Sequence, residues 1–206
     1  MFDDRFRRFL APLLTGPAQR LGKIGVTANH LTIFGFLLGT GGAVGVALHR
    51  PWLGMGLWLG SRVLDGLDGV VARVSAAATP FGGFLDLTLD MAAYSLMAVA
   101  FALVHPGYQL VWLLVLVGYV LCITTAAVLA ATLERQQVVL PGIDRSIQLT
   151  PGFAEAGETT TFYLLVTVFP GWVGPLATGW VVVLLATAVQ RTLLARRLLA
   201  PPLRGS

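Results

Sequence analysis

Of the ten acidic residues in the chain, four stand where water is scarce: Asp65, Asp68, Asp86 and Asp90 fall inside or at the ends of two apolar segments. An Asp at the centre of a membrane span costs about 2.5–3.5 kcal/mol on insertion scales, and such residues usually face a cavity or a partner. Spacings of three and four residues put each pair on one face of a helix. The short link SAAATP reverses the chain between the pairs, so the two helices are expected to be antiparallel neighbours that gather the carboxylates. At 4 Å and an effective dielectric of about 20, each such contact repels by about 4 kcal/mol. Cations must offset this. Arg73 is one, but it cannot neutralise four carboxylates, and ligands made only of oxygen favour hard divalent ions such as Mg²⁺, Mn²⁺ or Ca²⁺. Two such ions held close together serve displacement at phosphorus. Gly69, Gly82 and Gly83 remove side chains where a bulky group can approach a helix, and Arg73 lies one turn beyond Gly69, which suits a phosphate-bearing ligand. The alternatives are helix-end carboxylates that merely reach water, against which the spacing argues, and glycines that serve helix packing.

The elements that position these residues follow from composition. The chain has 206 residues, 56% hydrophobic and 12% charged, with mean hydropathy +0.78. A soluble domain carries about twice that charged fraction, which excludes an ordinary globular enzyme, a disordered chain and a disulfide scaffold. An all-α integral membrane protein is expected. Six apolar segments run from Leu31 to Leu48, Trp52 to about Arg73, Phe81 to Val104, Tyr108 to about Leu133, about Gly157 to Phe169, and Val173 to about Leu199. Asn29 is the expected N-cap of the first, whose Gly35, Gly39, Gly41 and Gly45 imply close helix contact. HPGY and PGWVGP separate the third from the fourth and the fifth from the sixth. Gly56 and Gly60 in the second segment suit packing within the bundle or between subunits.

The first thirty residues carry Arg5, Arg7, Arg8, Arg20 and Lys23 among Phe and Leu, and read as an amphipathic interfacial helix that binds anionic headgroups or anchors the first span. The expected organisation is a juxtamembrane segment at 1–30, a six-helix transmembrane catalytic domain at 31–200 and a short cytoplasmic tail at 201–206. With both termini and the second-to-third and fourth-to-fifth connections in the cytoplasm, every Lys and Arg except Arg50 falls on that side. The net charge of +4 follows from these basic ends and not from a nucleic-acid partner. Cys122, the single cysteine, reads as a buried thiol acting as a small hydrophobe. His30, His49 and His105 lie at span ends and suggest no shared metal site.

Asp65 to Asp90 reads DGLDGVVARVSAAATPFGGFLDLTLD. This resembles the signature of the CDP-alcohol phosphatidyltransferase family, integral membrane phospholipid synthases. Its eight fixed positions match at Asp65, Asp68, Gly69, Ala72, Arg73, Gly82, Asp86 and Asp90. At average residue frequencies the chance of that match is on the order of 10⁻¹⁰ per starting position. The resemblance implies that Asp65, Asp68 and Asp86 ligate two divalent cations, Mg²⁺ or Mn²⁺, with help from Asp90, which is also the general base. It implies that Gly69, Ala72 and Arg73 contact the CDP moiety and that Gly82 lines the nucleotide pocket. Thr79 either touches the nucleotide or caps the third helix, since Thr before Pro80 is also an ordinary helix start. The implied reaction moves a phosphatidyl group from CDP-diacylglycerol to a small alcohol with release of CMP. A homodimer in the cell inner membrane, with its site on the cytoplasmic side, is implied as well.

Two positions depart from common family patterns: Ala28 replaces Pro in the Thr-Pro-Asn preceding the first span, and Met91 replaces the Lys that often follows the fourth aspartate. Relatives that use phosphorylated polyols tend to carry Glu-Arg pairs where this chain has Glu155-Ala156 and Glu158-Thr159. A neutral or amine-bearing alcohol fits Glu155 and Glu158 better, though both also suit helix N-terminal acids favoured by the dipole. Arg135, Arg145 and Arg191 remain as clamps for a phosphorylated acceptor such as glycerol phosphate or inositol phosphate. The rival of another class is a divalent-cation transporter built on the same aspartates. A transporter has no evident need for Gly69, Ala72 and Arg73.

Overall fold

The structure, a computed structural model, describes residues 15–22, 24–75, 78–137 and 153–199. Residues 1–14, Arg145 and the tail at 201–206 lie outside the described residues. A short helix, α1, covers residues 15–22. Six longer ones follow: α2 (Ala28–Ala47), α3 (Pro51–Val74), α4 (Pro80–Val104), α5 (Gln109–Arg135), α6 (Ala156–Val168) and α7 (Val173–Leu198). Single 3₁₀ turns at Pro106–Tyr108 and Pro170–Trp172 reverse the chain before α5 and α7. No strand occurs among the described residues.

Local chemistry sets the boundaries. Asn29 is not the cap of α2. Thr27 is, with an extended backbone and a hydroxyl that accepts from His30 N at 3.4 Å, while His30 Nδ1 accepts from Thr27 N at 3.4 Å. This reciprocal pair satisfies two otherwise orphaned N–H groups and starts the helix two residues earlier. Thr79 caps α4 in the same way, accepting from Gly82 N at 3.0 Å, with Pro80 preset for the first turn. Pro51 opens α3. Glu158 sits in the first turn of α6, and Arg196 and Arg197 in the last turn of α7, each on the side of its helix dipole that suits its charge.

Apolar side chains recur at three- and four-residue spacing on outward faces: Phe34 and Leu37 on α2; Leu110, Leu113, Val117 and Val120 on α5; Val182, Leu185 and Val189 on α7. These are faces for lipid, because water would leave them unburied. Four helical stretches are long and apolar enough to cross a membrane: Ala28–Ala47, Pro80–Val104, Pro106–Arg135 and Pro170–Leu198. The chain is a membrane protein. Two of the six expected spans fall short of that standard. α3 has the length but carries Arg62, Asp65, Asp68 and Arg73, and α6, at 13 residues, extends only about 20 Å.

The expected α3–α4 neighbourhood is met through side chains, with the Trp58 and Tyr94 rings 5.6 Å apart and Arg62 donating to Asp90 at 2.8 Å. α2 packs against both α3 and α4, while α3 and α4 are not in close backbone contact. Glycine makes this possible. A Cβ on Gly42 would stand 2.8 Å from Gly54 O, and one on Gly39 would stand 3.0 Å from Ser61 Oγ on α3 and 3.5 Å from Ala93 Cβ on α4. With α2 as the floor, α3 and α4 rise as two walls, and the long polar side chains fill the space between them.

Behind α4 the core is aromatic. Phe101 stacks on Trp112 at 5.3 Å and Phe162 on Trp180 at 4.9 Å. The Tyr163 hydroxyl donates to Tyr94 O at 2.7 Å and lies 2.9 Å from the Tyr119 hydroxyl, which also accepts from Trp180 Nε1 at 3.2 Å. This net ties α4, α5, α6 and α7 together, so α4 presents its aspartates from a braced position. Cys122 is buried and free, its thiol directed at Leu184 O at 3.3 Å.

Candidate active site

Carboxylate oxygens of Asp65 and Asp68 from α3 and Asp86 from α4 lie within 4.8 Å of one another. Asp68 is buried, and the Thr32 hydroxyl on α2 donates to its Oδ2 at 2.6 Å. Three converging carboxylates, one of them oriented from behind, form a donor set for a hard divalent cation. Asp90 lies one turn beyond Asp86 but outside this group. Its Oδ1 accepts from Arg62 Nη1 at 2.8 Å. Arg62 Nη1 also donates to the Tyr94 hydroxyl at 3.0 Å and stands 4.0 Å from Asp65 Oδ2. Thr32, Gly35, Phe36, Arg62, Asp65, Asp68, Leu89 and Asp90 line one cleft. Asp65, Asp68 and Asp90 line this cleft and Asp86 adjoins it through the three-carboxylate group, so the four fall in two unequal parts: a cluster of three and a fourth paired with a cation.

The residues expected at the nucleotide surround the same ends of α3 and α4. The Arg73 guanidinium folds back over Gly69, where a Cβ would lie 3.4 Å from its Nη1. Ala72 is half-buried on α3 beside it. At the start of α4, a Cβ on Gly82 would lie 3.1 Å from Asn29 Oδ1 and 3.2 Å from Thr79 Oγ1. The Thr79 hydroxyl is engaged in capping.

The acceptor candidates lie apart from the aspartate cleft, with Arg191 and Glu155 near enough to each other to interact electrostatically. Arg135 is exposed at the end of α5. Arg191 is buried on α7 and donates from Nη1 to Cys122 O at 2.8 Å. Glu155 occupies the N-cap position of α6 without a side-chain cap bond, and Glu158 lies in the following turn with Oε2 buried. None of these four is among the residues lining the aspartate cleft.

Sequence reasoning missed Thr32 and Arg62. Thr32 meets Asp68 across 36 positions and carries no local signal. Arg62 precedes Asp65 by three residues on the same helix face, and a second cation among intramembrane carboxylates was the available clue.

Residues 25–194 match the family described as CDP-alcohol phosphatidyltransferase. The chain belongs to that family and is an enzyme of its type. It is 33% identical over 183 residues to the inner membrane protein YnjF of Escherichia coli K12, covering 84% of each chain. It is 31% identical to the phosphatidylinositol phosphate synthase of Mycobacteroides abscessus, covering 91% of this chain and 84% of the relative. In fold it resembles the phosphatidylinositol phosphate synthase of Mycobacterium tuberculosis solved with manganese and citrate, with TM-score 0.68 and 21% identity over 88% of both chains. The same synthase with CDP-DAG bound gives TM-score 0.65 at 21% identity, covering 90% of this chain and 94% of the other.

Proposed function

We propose that this enzyme transfers a phosphatidyl group from CDP-diacylglycerol to the hydroxyl of a small alcohol and releases CMP. The observation that carries the reading is the meeting of Asp65, Asp68 and Asp86 within 4.8 Å, at a cleft that Asp65, Asp68 and Asp90 line. Asp65, Asp68 and Asp86, with help from Asp90, would hold two divalent cations, Mg²⁺ or Mn²⁺. When bound, these ions neutralise the donor's pyrophosphate and the charge that grows on departing CMP. Gly69 and Ala72 let the donor approach α3, Arg73 pairs with a phosphate oxygen, and Gly82 and Thr79 border the nucleotide at the start of α4. Asp90 takes the proton of the acceptor hydroxyl as its oxygen bonds to the β-phosphorus and the bond from that phosphorus to CMP breaks. Its place beside the three-carboxylate group suits this role together with a share in ligation.

For the acceptor, a neutral or amine-bearing alcohol is the first reading. Arg191 donates to Cys122 O and interacts with Glu155, so its charge is already taken up, and Glu158 adds negative charge at the start of α6. A phosphorylated polyol is the second, favoured by the name of the Mycobacteroides abscessus relative, phosphatidylinositol phosphate synthase. Arg135, Arg145 and Arg191 would then serve the phosphate. The same proposal places six spans and an N-terminal interfacial helix in the inner membrane, with termini and site cytoplasmic, a catalytic domain at 31–200 and a homodimeric assembly.

Purified protein with CDP-diacylglycerol and Mg²⁺ or Mn²⁺ is expected to release CMP, and Asp90→Asn to fall near background. Serine, glycerol or inositol should support more release than glycerol phosphate or inositol phosphate. The opposite preference replaces the first acceptor reading by the second, and full activity in Asp90→Asn removes the base.

A further inference from the structure

The start of α6 holds charge inside the bundle. Ala154 N donates to Thr187 Oγ1 on α7 at 3.1 Å, and one turn further along α7 Arg191, 8% exposed, donates to Cys122 O at 2.8 Å and interacts with Glu155. The charges of Glu155 and Arg191 offset one another. Glu158, in the first turn of α6, has no ion pair among the described residues, and its Oε2 is buried without a hydrogen-bond partner. The helix dipole favours an acid in this turn, but it supplies Oε2 with no donor, and an exposed acid would serve it as well.

The aromatic net fixes the depth of Glu158. α4 and α5 run antiparallel, because Tyr94 meets Tyr119 and Phe101 meets Trp112. α7 runs with α5, since Tyr119 pairs with Trp180 and Cys122 O with Arg191, and α6 runs against α7, from Ala154 beside Thr187 to Phe162 beside Trp180. α6 therefore runs in the same direction as α4. The Tyr163 hydroxyl reaches Tyr94 O at 2.7 Å and its ring lies 5.4 Å from that of Trp58, so at this level α6 meets both α3 and α4. Asp90 stands four residues before Tyr94, and Glu158 five before Tyr163. At the rise of a helix, both lie about 6–7.5 Å from that level toward the end where the aspartates gather. Glu158 is thus level with Asp90, beyond the residues that line the cleft.

Buried polar atoms in proteins are almost always bonded, and a carboxylate oxygen without a donor fits a partner that arrives with a ligand. With Glu155 balanced by Arg191, the charge left at this end of α6 is negative. We propose that Glu158 determines acceptor specificity by bonding the cationic amine of an amino alcohol whose hydroxyl stands at Asp90. The inference rests on the first acceptor reading above and narrows it to alcohols that carry a positive charge. A neutral polyol brings the hydroxyl without the countercharge, and a phosphorylated one adds negative charge beside an unbalanced carboxylate.

Ethanolamine and ethylene glycol separate these cases, because they differ only in an ammonium against a hydroxyl. In CMP release by the purified full chain, ethanolamine should be preferred in kcat/KM by about 10–100-fold, the size of a hydrogen bond between charged groups. Glu158→Gln should bring the ratio near one, mainly by raising KM for ethanolamine, and Glu158→Asp should keep part of the preference. Ethylammonium chloride, which lacks the hydroxyl, should inhibit the parent in competition with ethanolamine; this needs no variant and decides the matter if Glu158→Gln does not fold. Equal use of the two acceptors by the parent, a preference that persists in Glu158→Gln, or absence of competition by ethylammonium overturns the inference. Better use of glycerol phosphate or inositol phosphate than of either small alcohol overturns the first acceptor reading with it. A parent that releases no CMP overturns the proposed reaction instead. The role of Glu158 is then read from thermal unfolding, where ethylammonium chloride, against sodium chloride, should raise the midpoint of the parent and not that of Glu158→Gln; equal midpoints with the two salts in the parent would overturn it.

Discussion

Thr32 donates to Asp68 at 2.6 Å from a helix that contributes no carboxylate, and this contact helps to orient a buried ligand. Partners that orient a ligand in this way are worth about 10–100-fold in metal affinity or activity. Thr32→Val keeps the shape and removes the hydroxyl. Mn²⁺ affinity of the purified full chain, read by electron paramagnetic resonance of free Mn²⁺, is expected to fall within that range, with Thr32→Ser restoring most of it; parental affinity in Thr32→Val would show that Asp68 needs no such support. The contrast between Asp68 and Thr32 also shows what a sequence exposes at this scale. Aspartates spaced by three and four residues in an apolar stretch stand out because helix periodicity aligns them and the membrane makes each one costly. A threonine hydroxyl costs little anywhere in a helix, so its importance emerges only when the fold brings it to a carboxylate. Arg62 is intermediate. Its charge was visible, but its direction toward Asp90 was set by the rings of Trp58 and Tyr94, which no spacing rule couples to it.

At the scale of elements, the apolar runs fixed the six long helices to within about three residues, because turn chemistry at Thr27, Pro51, Thr79 and Pro80 coincides with the change of hydropathy. Which helices touch was another matter. The short link made α3 and α4 neighbours, and they meet through the side chains of Trp58, Arg62, Asp90 and Tyr94, but that the glycines of α2 draw both helices onto α2 was not legible from spacing. The closest approach is at Gly54, where an added Cβ would meet Gly42 O at 2.6 Å and Val46 N at 2.9 Å. Both are backbone atoms and cannot rotate away, so Gly54→Ala must push α2 and α3 apart. The expected cost is about 1–3 kcal/mol, typical of overpacking. Gly56, two residues on, has open space around it. Gly56→Ala should be neutral or stabilising by about 0.5–1 kcal/mol through backbone entropy alone. Thermal unfolding of the two variants in one detergent checks the contrast, and equal midpoints would mean that the α2–α3 contact is not as close as the glycines require.

For the molecule as a whole, the open question of topology turns on α3 and α6, the two helices that do not meet the length and apolarity of a span. α3 is 24 residues, about 36 Å, and packs on α2, which argues that it crosses the bilayer and carries its carboxylates to the cytoplasmic edge. If α3 crosses, Ser75 lies on the cytoplasmic side and Gly107, after α4, on the outer side. If α3 does not cross, these two positions exchange sides. Gly171, before α7, is outside in the six-span arrangement and also in the four-span arrangement, so it serves as the control. All three sites accept a probe: Ser75 is exposed, and a Cβ at Gly107 or Gly171 meets nothing within 4 Å. Cys122 is the single native cysteine, and replacing it by Ser clears the background. In intact cells, a membrane-impermeant maleimide is then expected to label Gly107→Cys and Gly171→Cys at once, and Ser75→Cys only after the membrane is opened. Labelling of Ser75→Cys in intact cells, with Gly107→Cys protected, would put the aspartate cleft on the outer face. CDP-diacylglycerol made inside the cell would then have no route to the carboxylates, and the orientation drawn from the basic residues would fall with it.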